Sequence, residues 1–301
     1  MPDLNIVKIE NMLGLSEPAK AMVKKCFGLL GLWIEPNMIK RKADALKYAA
    51  ETQNQIAISN TKTQIEIEEL CQRTRNRFEN EEIRKQINME NIIEKALPLL
   101  SENSTPENID NDWLFNFFDK CKLISNEEMQ MLWAKILAGE ADKSGAFSKR
   151  TINIVQTLSK KDAEYFTKIC SFVCKIYNEL RPIILDHEDE FYKKNGLNFD
   201  ILKHLEDIGL LNFDSNTLGM TLDGFPKIIT ICYLNEKIKI EFKNDNANLE
   251  RGQVLFTETG KELSQVCKKE PIDGFSNYLI TYFKTNELNS SSPIKNISIV
   301  D

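Results

Sequence analysis

Residues 37–103 contain no glycine and only one proline, Pro98, and this shortage of helix breakers constrains the fold more than any other feature of the sequence. Glycine and proline are the residues that most disfavour a helix interior. The stretch therefore predicts one or two long helices. A near-heptad seam with apolar ends and a polar middle runs along it, as in a weak coiled coil. The seam consists of Ile39, Ala43, Leu46, Ala50, Gln53, Ala57, Asn60, Gln64, Ile67, Cys71, Thr74 and Phe78.

Residues 112–166 carry the strongest apolar periodicity of the chain, in two runs at helical spacing. Each run places its large side chains on one face, so we predict two helices that pack through those faces. Ser125 and Glu128 have the spacing of a capping box at the start of the second helix, and Gly139 is placed to end it. Trp113 and Trp133 are then core residues rather than groups that stack on a ligand.

Two further helices follow in the sequence. One is predicted from Ser148, and the other from Ser159, with Asp162 as its capping partner and with apolar residues continuing through Val173 to Tyr177. Short capped turns between helices are typical of antiparallel bundles. Residues 101–112, which are rich in polar residues, read as a linker that separates this bundle from the long N-terminal helices.

From residue 199 onwards the pattern changes to short alternating segments and turns. Residues 228–233 and 237–243 predict a β-hairpin, and residues 253–257 predict a third strand that leads into a helix at Thr259. Another amphipathic helix is expected over residues 272–283. The tail from residue 286 has the composition of a mobile segment, with an edge strand at residues 297–300 as the alternative.

Together these patterns predict a mainly α protein with a small α+β C-terminal domain. We expect a long helical, coiled-coil-like arm over residues 1–103 and an antiparallel helical bundle over residues 111–181. A C-terminal α+β module over residues 197–285 and a flexible tail over residues 286–301 complete the predicted organisation.

The net charge, the cysteines and the longest apolar run restrict the ligands and the cellular compartment that we expect for this protein. The formal net charge is −6, which argues against a general nucleic-acid binder and leaves a local basic patch as the alternative. The seven cysteines are an odd number, widely spread, and indicate reduced thiols in a cytoplasmic protein. The longest apolar run near the N-terminus, residues 26–34, is about half the roughly 20 residues that span a bilayer. A buried helix is the favoured interpretation of that run, with membrane contact as the alternative.

The sequence offers few groups for catalysis. We predict no catalytic, cofactor-binding or metal-ligating residues, since there are only two histidines and no nucleotide-binding loop. His187 lies in an acidic run, but consecutive residues do not all face one ion, and His204 belongs to another predicted element. The candidate interaction residues are instead basic, in an arginine-rich helix and beside the loop at residues 139–145. They are Arg73, Arg75, Arg77, Lys143, Lys149 and Arg150.

Two resemblances add to these inferences. The segments at residues 132–139, 145–151 and 158–162 (LWAKILAG, GAFSKRT and LSKKD) resemble a bacterial family catalogued as domain of unknown function 2806, over roughly residue 77 to the C-terminus. They are also distantly similar to abortive-infection proteins of the alpha type, which would imply a role in defence against phage. Residues 202–211 with 254–263 resemble the winged-helix pattern, in which a glycine ends one helix and a threonine caps the next.

The most consistent function is a non-enzymatic scaffold that acts through self-association or a protein partner, in phage defence if the abortive-infection resemblance holds. The alternative is a nucleic-acid-binding protein that uses the arginine-rich helix and the winged-helix-like module. In the arginine-rich helix, Glu79, Glu81 and Glu82 lie among the arginines and offset their charge, which favours a solvated helix face over a phosphate-binding strip.

Overall fold

The computed structural model of the chain describes residues 14–30, 61–215, 220–285 and 293–300. Predictions for residues 31–60, among them the first half of the heptad seam, lie outside the described residues. The chain divides into two compact units, Met1–Lys149 and Arg150–Asp301.

The first unit is helical in its described part. Its helices are α1 (Glu17–Leu30), α2 (Thr61–Ala96), α3 (Asn111–Cys121) and α4 (Glu127–Asp142), with short 3-10 turns at Leu97–Leu99 and Pro106–Asn108. The prediction of a long helix without glycine or proline is confirmed by α2. Its 36 residues extend over about 54 Å at about 1.5 Å per residue. It ends where Pro98 enters a 3-10 turn.

The core of this unit forms where the apolar periodicity predicted it. The buried face of α3 consists of Trp113, Leu114, Phe117, Phe118 and Cys121. Phe117 contacts Trp133 of α4 edge-to-face, with ring centroids 5.1 Å apart. Both tryptophans are buried, so their assignment to the core is confirmed. Large aromatic side chains of this kind supply much of the apolar area that a small core buries.

Two boundary predictions for α4 are wrong. The N-cap is Asn126, whose side chain accepts a hydrogen bond from the Met129 backbone N–H at 3.0 Å, one residue after the predicted Ser125. Gly139 does not end the helix, which continues to Asp142. Asparagine caps as well as serine does, and a glycine inside a helix costs only about 1 kcal/mol, so neither residue type alone fixes the boundary.

The second unit begins with two helices, α5 (Lys149–Thr157) and α6 (Lys160–Cys170). The capping box at α6 is confirmed: Ser159 Oγ accepts from the Asp162 N–H, and the Asp162 carboxylate accepts from the Ser159 N–H at 2.7 Å. The chain then forms a hairpin of β1 (Val173–Ile176) and β2 (Glu179–Pro182).

That hairpin overturns the predicted bundle over residues 111–181. Val173 and Tyr177 fall at helical spacing from Cys170, but the segment alternates instead, with Cys174 and Ile176 buried and Lys175 and Tyr177 exposed. Tyr177 has a φ of 53° and forms the turn. A segment this short fits a period of 3.6 and a period of 2 equally well, so the apolar pattern did not decide between them.

The rest of the second unit alternates short helices and strands. The helices are α7 (Glu190–Lys194), α8 (Phe199–Asp207), α9 (Glu258–Ser264) and α10 (Phe275–Thr285). The strands are β3 (Leu211–Phe213), β4 (Met220–Phe225), β5 (Ile228–Tyr233), β6 (Glu236–Phe242), β7 (Ala247–Gly252), β8 (Val254–Phe256) and β9 (Ile294–Val300). The predicted β5–β6 hairpin is confirmed. The flexible tail predicted over residues 286–301 is wrong for Ile294–Val300, which form the edge strand that was the alternative, because they pair with β6.

Five strands form one antiparallel sheet in the order β2-β1-β5-β6-β9. Two separate pairs, β3–β8 and β4–β7, form two-stranded sheets. Helix α10 packs on β6 and β9 through Phe275, Leu279 and Phe283, which lie at i, i+4 and i+8 on one helix face. The predicted class, mainly α with a small α+β domain, is therefore wrong, because the sheet makes this an α+β protein.

The winged-helix resemblance describes only local features. Gly209 follows α8 with a φ of 79°, and Thr257 caps α9 by accepting from the Gly260 N–H, as the pattern requires. The strand β3 pairs with β8, but four strands lie between them in the chain, and two of these belong to the five-stranded sheet. The unit as described is not a small winged-helix module.

Candidate functional site

The loop at residues 143–147, beside the basic candidate residues, is fixed by a buried carboxylate. Glu140 on α4 is only 2% exposed, and its two oxygens accept hydrogen bonds from the Gly145 N–H at 2.6 Å and the Phe147 N–H at 3.0 Å. The Phe147 carbonyl in turn accepts from Trp113 Nε1 at 2.6 Å. Packing and internal hydrogen bonds thus fix the conformation of this loop.

The basic residues beside that loop, Lys143, Lys149 and Arg150, do not all belong to the same unit. Lys143 follows α4, and Lys149 and Arg150 are the first residues of α5. All three are exposed. Lys143 and Lys149 belong to the first unit and Arg150 to the second.

The arginine-rich strip lies on α2. Arg73 and Arg77 are exposed and Arg75 is partly exposed, and Arg77 forms an ion pair with Glu81 at 3.6 Å. This pair has the i,i+4 spacing that the mixed-charge interpretation predicts, and exposed pairs of this kind contribute at most about 0.5 kcal/mol.

Helix α2 also exposes large apolar side chains. Ile65 and Leu70 are 57% and 55% exposed, and Ile83 and Ile87 are 39% and 37% exposed. Ile65 and Ile83 lie about five turns apart, so they share one side of the helix, and Ile87 lies one turn further along it. Ile92, which is fully buried, lies about two and a half turns from Ile83 and hence on the opposite side. We call Ile65, Ile83 and Ile87 the outer stripe of α2.

The charges of α2 alternate in blocks along this surface. Each block contains residues of one sign, which gives the exposed helix an acidic–basic–acidic–basic order. The blocks are Glu66, Glu68 and Glu69; Arg73, Arg75 and Arg77; Glu79, Glu81 and Glu82; and Arg84 with Lys85. A helix with such blocks is complementary to a second copy of itself, because a shift of one block brings unlike charges together.

Asp189, from the acidic run at residues 186–190, and Glu250 form a hydrogen-bonded cluster with two tyrosines. The sequence did not predict this cluster. Tyr278 donates to Asp189 Oδ2 at 2.8 Å, and Tyr282 donates to Glu250 Oε1 at 3.0 Å. Tyr278 and Tyr282 are four residues apart on α10, so their shared helix face was predictable, whereas their acidic partners were not.

The cluster shifts the acidity of its members. Burial, followed by the negative charge of Asp186, raises the pKa of Glu250, against the opposing effect of the Tyr282 hydrogen bond. Burial and the adjacent carboxylates also raise the pKa values of Tyr278 and Tyr282 well above the ordinary range of tyrosine. Both phenols therefore stay protonated at neutral pH and act as hydrogen-bond donors.

The two histidines are held in separate local contacts. His187 Nδ1 lies 2.7 Å from Gln253 Oε1, and His204 Nε2 lies 2.6 Å from Asp162 Oδ1. Among the described residues, no group of three or more histidine, cysteine, aspartate or glutamate side chains is arranged to hold a metal ion.

None of the seven cysteines, all of which lie in the described part of the chain, forms a disulfide. Burial raises the pKa of Cys26 to about 12, and it likewise raises the pKa values of Cys121, Cys170 and Cys174. Thiols in such surroundings are protonated and poor nucleophiles at neutral pH. Cys26 and Phe27, in the apolar run at residues 26–34, are buried, and residues 31–34 lie outside the described part of the chain. None of the described helices has the length and apolar character to cross a membrane.

A cavity of about 330 Å³ lies between the β5–β6 turn and the start of α10. Its lining includes Glu236 and Asp273, and the Ser276 hydroxyl donates to Glu236. No lysine, arginine, histidine or cysteine is among its described lining residues. Two carboxylates without a basic neighbour do not suit an anionic ligand.

Comparison with known proteins identifies the family but no function. No curated protein and no solved structure matches the chain. A family described as "Protein of unknown function (DUF2806)" matches residues 72–280, more than half of the chain. The match spans the last two thirds of α2, the helices α3 and α4, and most of the second unit. The chain belongs to the DUF2806 family.

Proposed function

We propose that this protein is a non-enzymatic interaction protein that self-associates through α2. The single observation that carries the proposal is the outer stripe of Ile65, Ile83 and Ile87, which is exposed on the side of α2 that faces away from the core. Burying such side chains contributes about 25 cal/mol per Å² of apolar area removed from water.

The charge blocks of α2 favour a second copy as the partner. In an antiparallel pair, the basic block around Arg75 of one copy lies opposite an acidic block of the other, and the two-fold symmetry repeats this contact. The seam predicted for α2, which includes Cys71, Thr74 and Phe78, is not part of this interface, because Thr74 lies about two and a half turns from both Ile65 and Ile83 and hence on the opposite side of the helix.

Several features support a non-enzymatic role. The histidines are engaged with Gln253 and Asp162, and the buried thiols stay protonated. The carboxylate of Glu250 is bound by a tyrosine that does not ionise at neutral pH.

Light scattering coupled to size exclusion tests this proposal on the full-length chain of 34.7 kDa. We expect a dimer whose dissociation constant rises at least about tenfold in the triple variant Ile65→Gln, Ile83→Gln, Ile87→Gln, since six apolar side chains leave the interface. The matched control replaces Leu99, Leu123 and Met131, exposed apolar residues of the same unit outside α2, with glutamine. A wild-type chain that remains a monomer up to about 100 μM contradicts the proposal.

A charge exchange tests the antiparallel arrangement. Replacing Arg73, Arg75 and Arg77 with glutamate should weaken self-association, because acidic blocks then oppose one another. Mixing this variant with one that carries lysine at Glu66, Glu68 and Glu69 should restore a heterodimer. If the arginines affect only the stability of the helix, mixing the two variants will not restore a heterodimer.

The cellular role that we propose is phage defence in the cytoplasm of a bacterium. Its support is the resemblance of residues 132–139 to abortive-infection proteins of the alpha type. Plating efficiency of a phage panel on cells that express the wild type or the triple isoleucine variant tests it. Equal plating on expressing and non-expressing cells contradicts a defence role.

A further inference from the structure

One side of the five-stranded sheet is open to solvent over β5, β6 and β9, whereas Val173 of β1 and Pro182 of β2 are buried on that same side. Helix α10 covers the other side, where Ile231, Ile238 and Ile240 are buried. On the open side, the side chains form three rows across the strands. The rows are Lys175, Cys232, Lys237 and Val300; then Thr230, Lys239 and Ser298; then Ile228, Glu241 and Asn296.

This open side is basic, although the whole chain carries a net charge of −6. Lys175, Lys237 and Lys239 are all exposed. Lys237 and Lys239 are two residues apart on one strand, so their side chains emerge about 7 Å from each other. Lys175 lies two strands from Lys237, about 10 Å away. Lys237 and Lys239 therefore lie within one Debye length, about 8 Å at physiological salt, and the field of Lys175 adds to theirs more strongly at lower salt.

The carboxylate on this side is already neutralised. Glu241 accepts a hydrogen bond from Lys295 Nζ at 2.7 Å. That hydrogen bond lowers the pKa of Glu241, and the charges of Lys227 and Lys239 lower it further. Three lysines, Lys227, Lys239 and Lys295, thus act on one ionised carboxylate at this end of the sheet.

We propose that the open side of the sheet, around Lys175, Lys237 and Lys239, binds single-stranded nucleic acid through its phosphate groups. The neighbouring polar side chains, Thr230, Ser298 and Asn296, are of the types that commonly complete phosphate and sugar contacts. The site rests on residues that the self-association of α2 does not involve.

The composition of the surface favours nucleic acid over protein. Stable protein interfaces are depleted in lysine and are anchored by tryptophan, tyrosine or arginine. None of these anchors occurs on the open side among the described residues of β1, β5, β6 and β9 that form the three rows. Lysine, a mobile point charge, suits phosphate well.

The shape of the surface favours a single strand over a duplex. Readout of a duplex requires an element that enters a groove, whereas this surface is the flat side of a sheet about 15 Å wide. An extended strand lies across such a surface and releases counterions as its phosphates meet the lysines. Without aromatic side chains in the rows, bases have no stacking platform, so binding is independent of sequence.

Fluorescence anisotropy of a labelled 12-nucleotide oligo-dT with the full-length chain tests this site. At 50 mM salt, we expect the triple variant Lys175→Gln, Lys237→Gln, Lys239→Gln to bind at least about tenfold more weakly than the wild type. The magnitude of the slope of log affinity against log salt concentration should decrease by about 2. Each phosphate contact on a single strand contributes roughly 0.7 to that slope, and the variant loses three contacts.

The matched control carries glutamine at Lys203, Lys261 and Lys268, exposed lysines of the same unit that form ion pairs with nearby glutamates. It changes the net charge by the same amount, so we expect its affinity to stay within about twofold of the wild type. Circular dichroism and melting temperature confirm that both variants fold. Absence of binding at 50 mM salt, or equal weakening by both variants, overturns the proposal. Displacement of the oligonucleotide by poly-glutamate at equal charge concentration overturns it in favour of an acidic protein ligand.

Discussion

At the scale of single residues, Glu140 and Glu250 are both withdrawn from water but have opposite surroundings. Glu140 is buried beside two backbone N–H donors. Glu250 is half-buried and lies close enough to Asp186 for the second negative charge to raise its pKa. The hydrogen bonds from Gly145 and Phe147 make Glu140 a stabilising contact, whereas Glu250, beside another acid, destabilises the fold when it ionises.

Replacing Glu140 with alanine should destabilise the protein by about 2–4 kcal/mol, because the N–H groups of Gly145 and Phe147 lose their acceptor. Glu140→Gln, which retains the shape and one carbonyl oxygen, should have an intermediate effect. Urea unfolding measures both, with Glu102→Ala at an exposed position as the control. A change below about 1 kcal/mol in Glu140→Ala would mean that the loop at residues 143–147 satisfies its N–H groups elsewhere.

Replacing Glu250 with glutamine should change the pH dependence of stability. The raised pKa means that folded Glu250 holds its proton more tightly than the unfolded chain does, so the wild type loses stability as pH rises through that pKa. The glutamine variant avoids this loss and can still accept the hydrogen bond from Tyr282. Its melting temperature should exceed that of the wild type at pH 8 and match it at pH 4.

Glu164→Gln is the control for this experiment, because that carboxylate is exposed in the same unit. An equal loss of melting temperature at both pH values in Glu250→Gln would contradict this account, because it would show that ionisation of Glu250 costs no stability and that glutamine does not replace even the protonated carboxyl group.

At the scale of elements, the second unit depends on a close backbone approach at the end of β7. Gly252 has a φ of 94°, and a Cβ atom there would lie 1.9 Å from the Ile184 carbonyl oxygen. That carbonyl accepts a hydrogen bond from the Gln253 N–H at 2.8 Å. Only glycine allows the two segments to approach so closely.

Gly252→Ala should therefore cost roughly 3 kcal/mol or more, from a positive φ of about 1–2 kcal/mol together with a backbone clash. Gly224→Ala is a matched control on the partner strand β4, since its φ is 79° and its nearest neighbour would be 3.7 Å away. Gly224→Ala should lower the free energy of unfolding only by the part that comes from the positive φ, about 1–2 kcal/mol. Equal destabilisation in urea unfolding would show that the backbone near Ile184 moves aside.

The elements also show where sequence reasoning succeeded. Helix faces with large apolar residues at regular spacing, such as Trp113 with Phe117, were predictable because only one side of such a helix is apolar. The hairpin at residues 173–182 was not, because four apolar or amphipathic positions fit two periods. The separation of β3 from β8 depends on pairing between distant segments, about which local propensity carries little information.

At the scale of the whole molecule, the chain is two compact units, and the sequence predicted the first better than the second. The family and the basic candidate residues on α2 were accessible from the sequence. The tyrosine–carboxylate cluster and the open basic side of the sheet were not, because their members come from strands and helices that only the tertiary fold brings together. Lys175 stands alone in the sequence, and its relation to Lys237 exists only through the register of β1, β5 and β6.

The strand order also determines how this sheet is assembled during folding. A tight turn joins β5 to β6, whereas residues 177–227 lie between β1 and β5, and residues 243–293 lie between β6 and β9. Closing long loops costs more chain entropy than closing a hairpin. We therefore expect the β1–β2 and β5–β6 hairpins to form early, and the β1–β2 hairpin and β9 then to join opposite edges of β5–β6. The rate of sheet formation is limited by two long-range encounters rather than by local strand propensity.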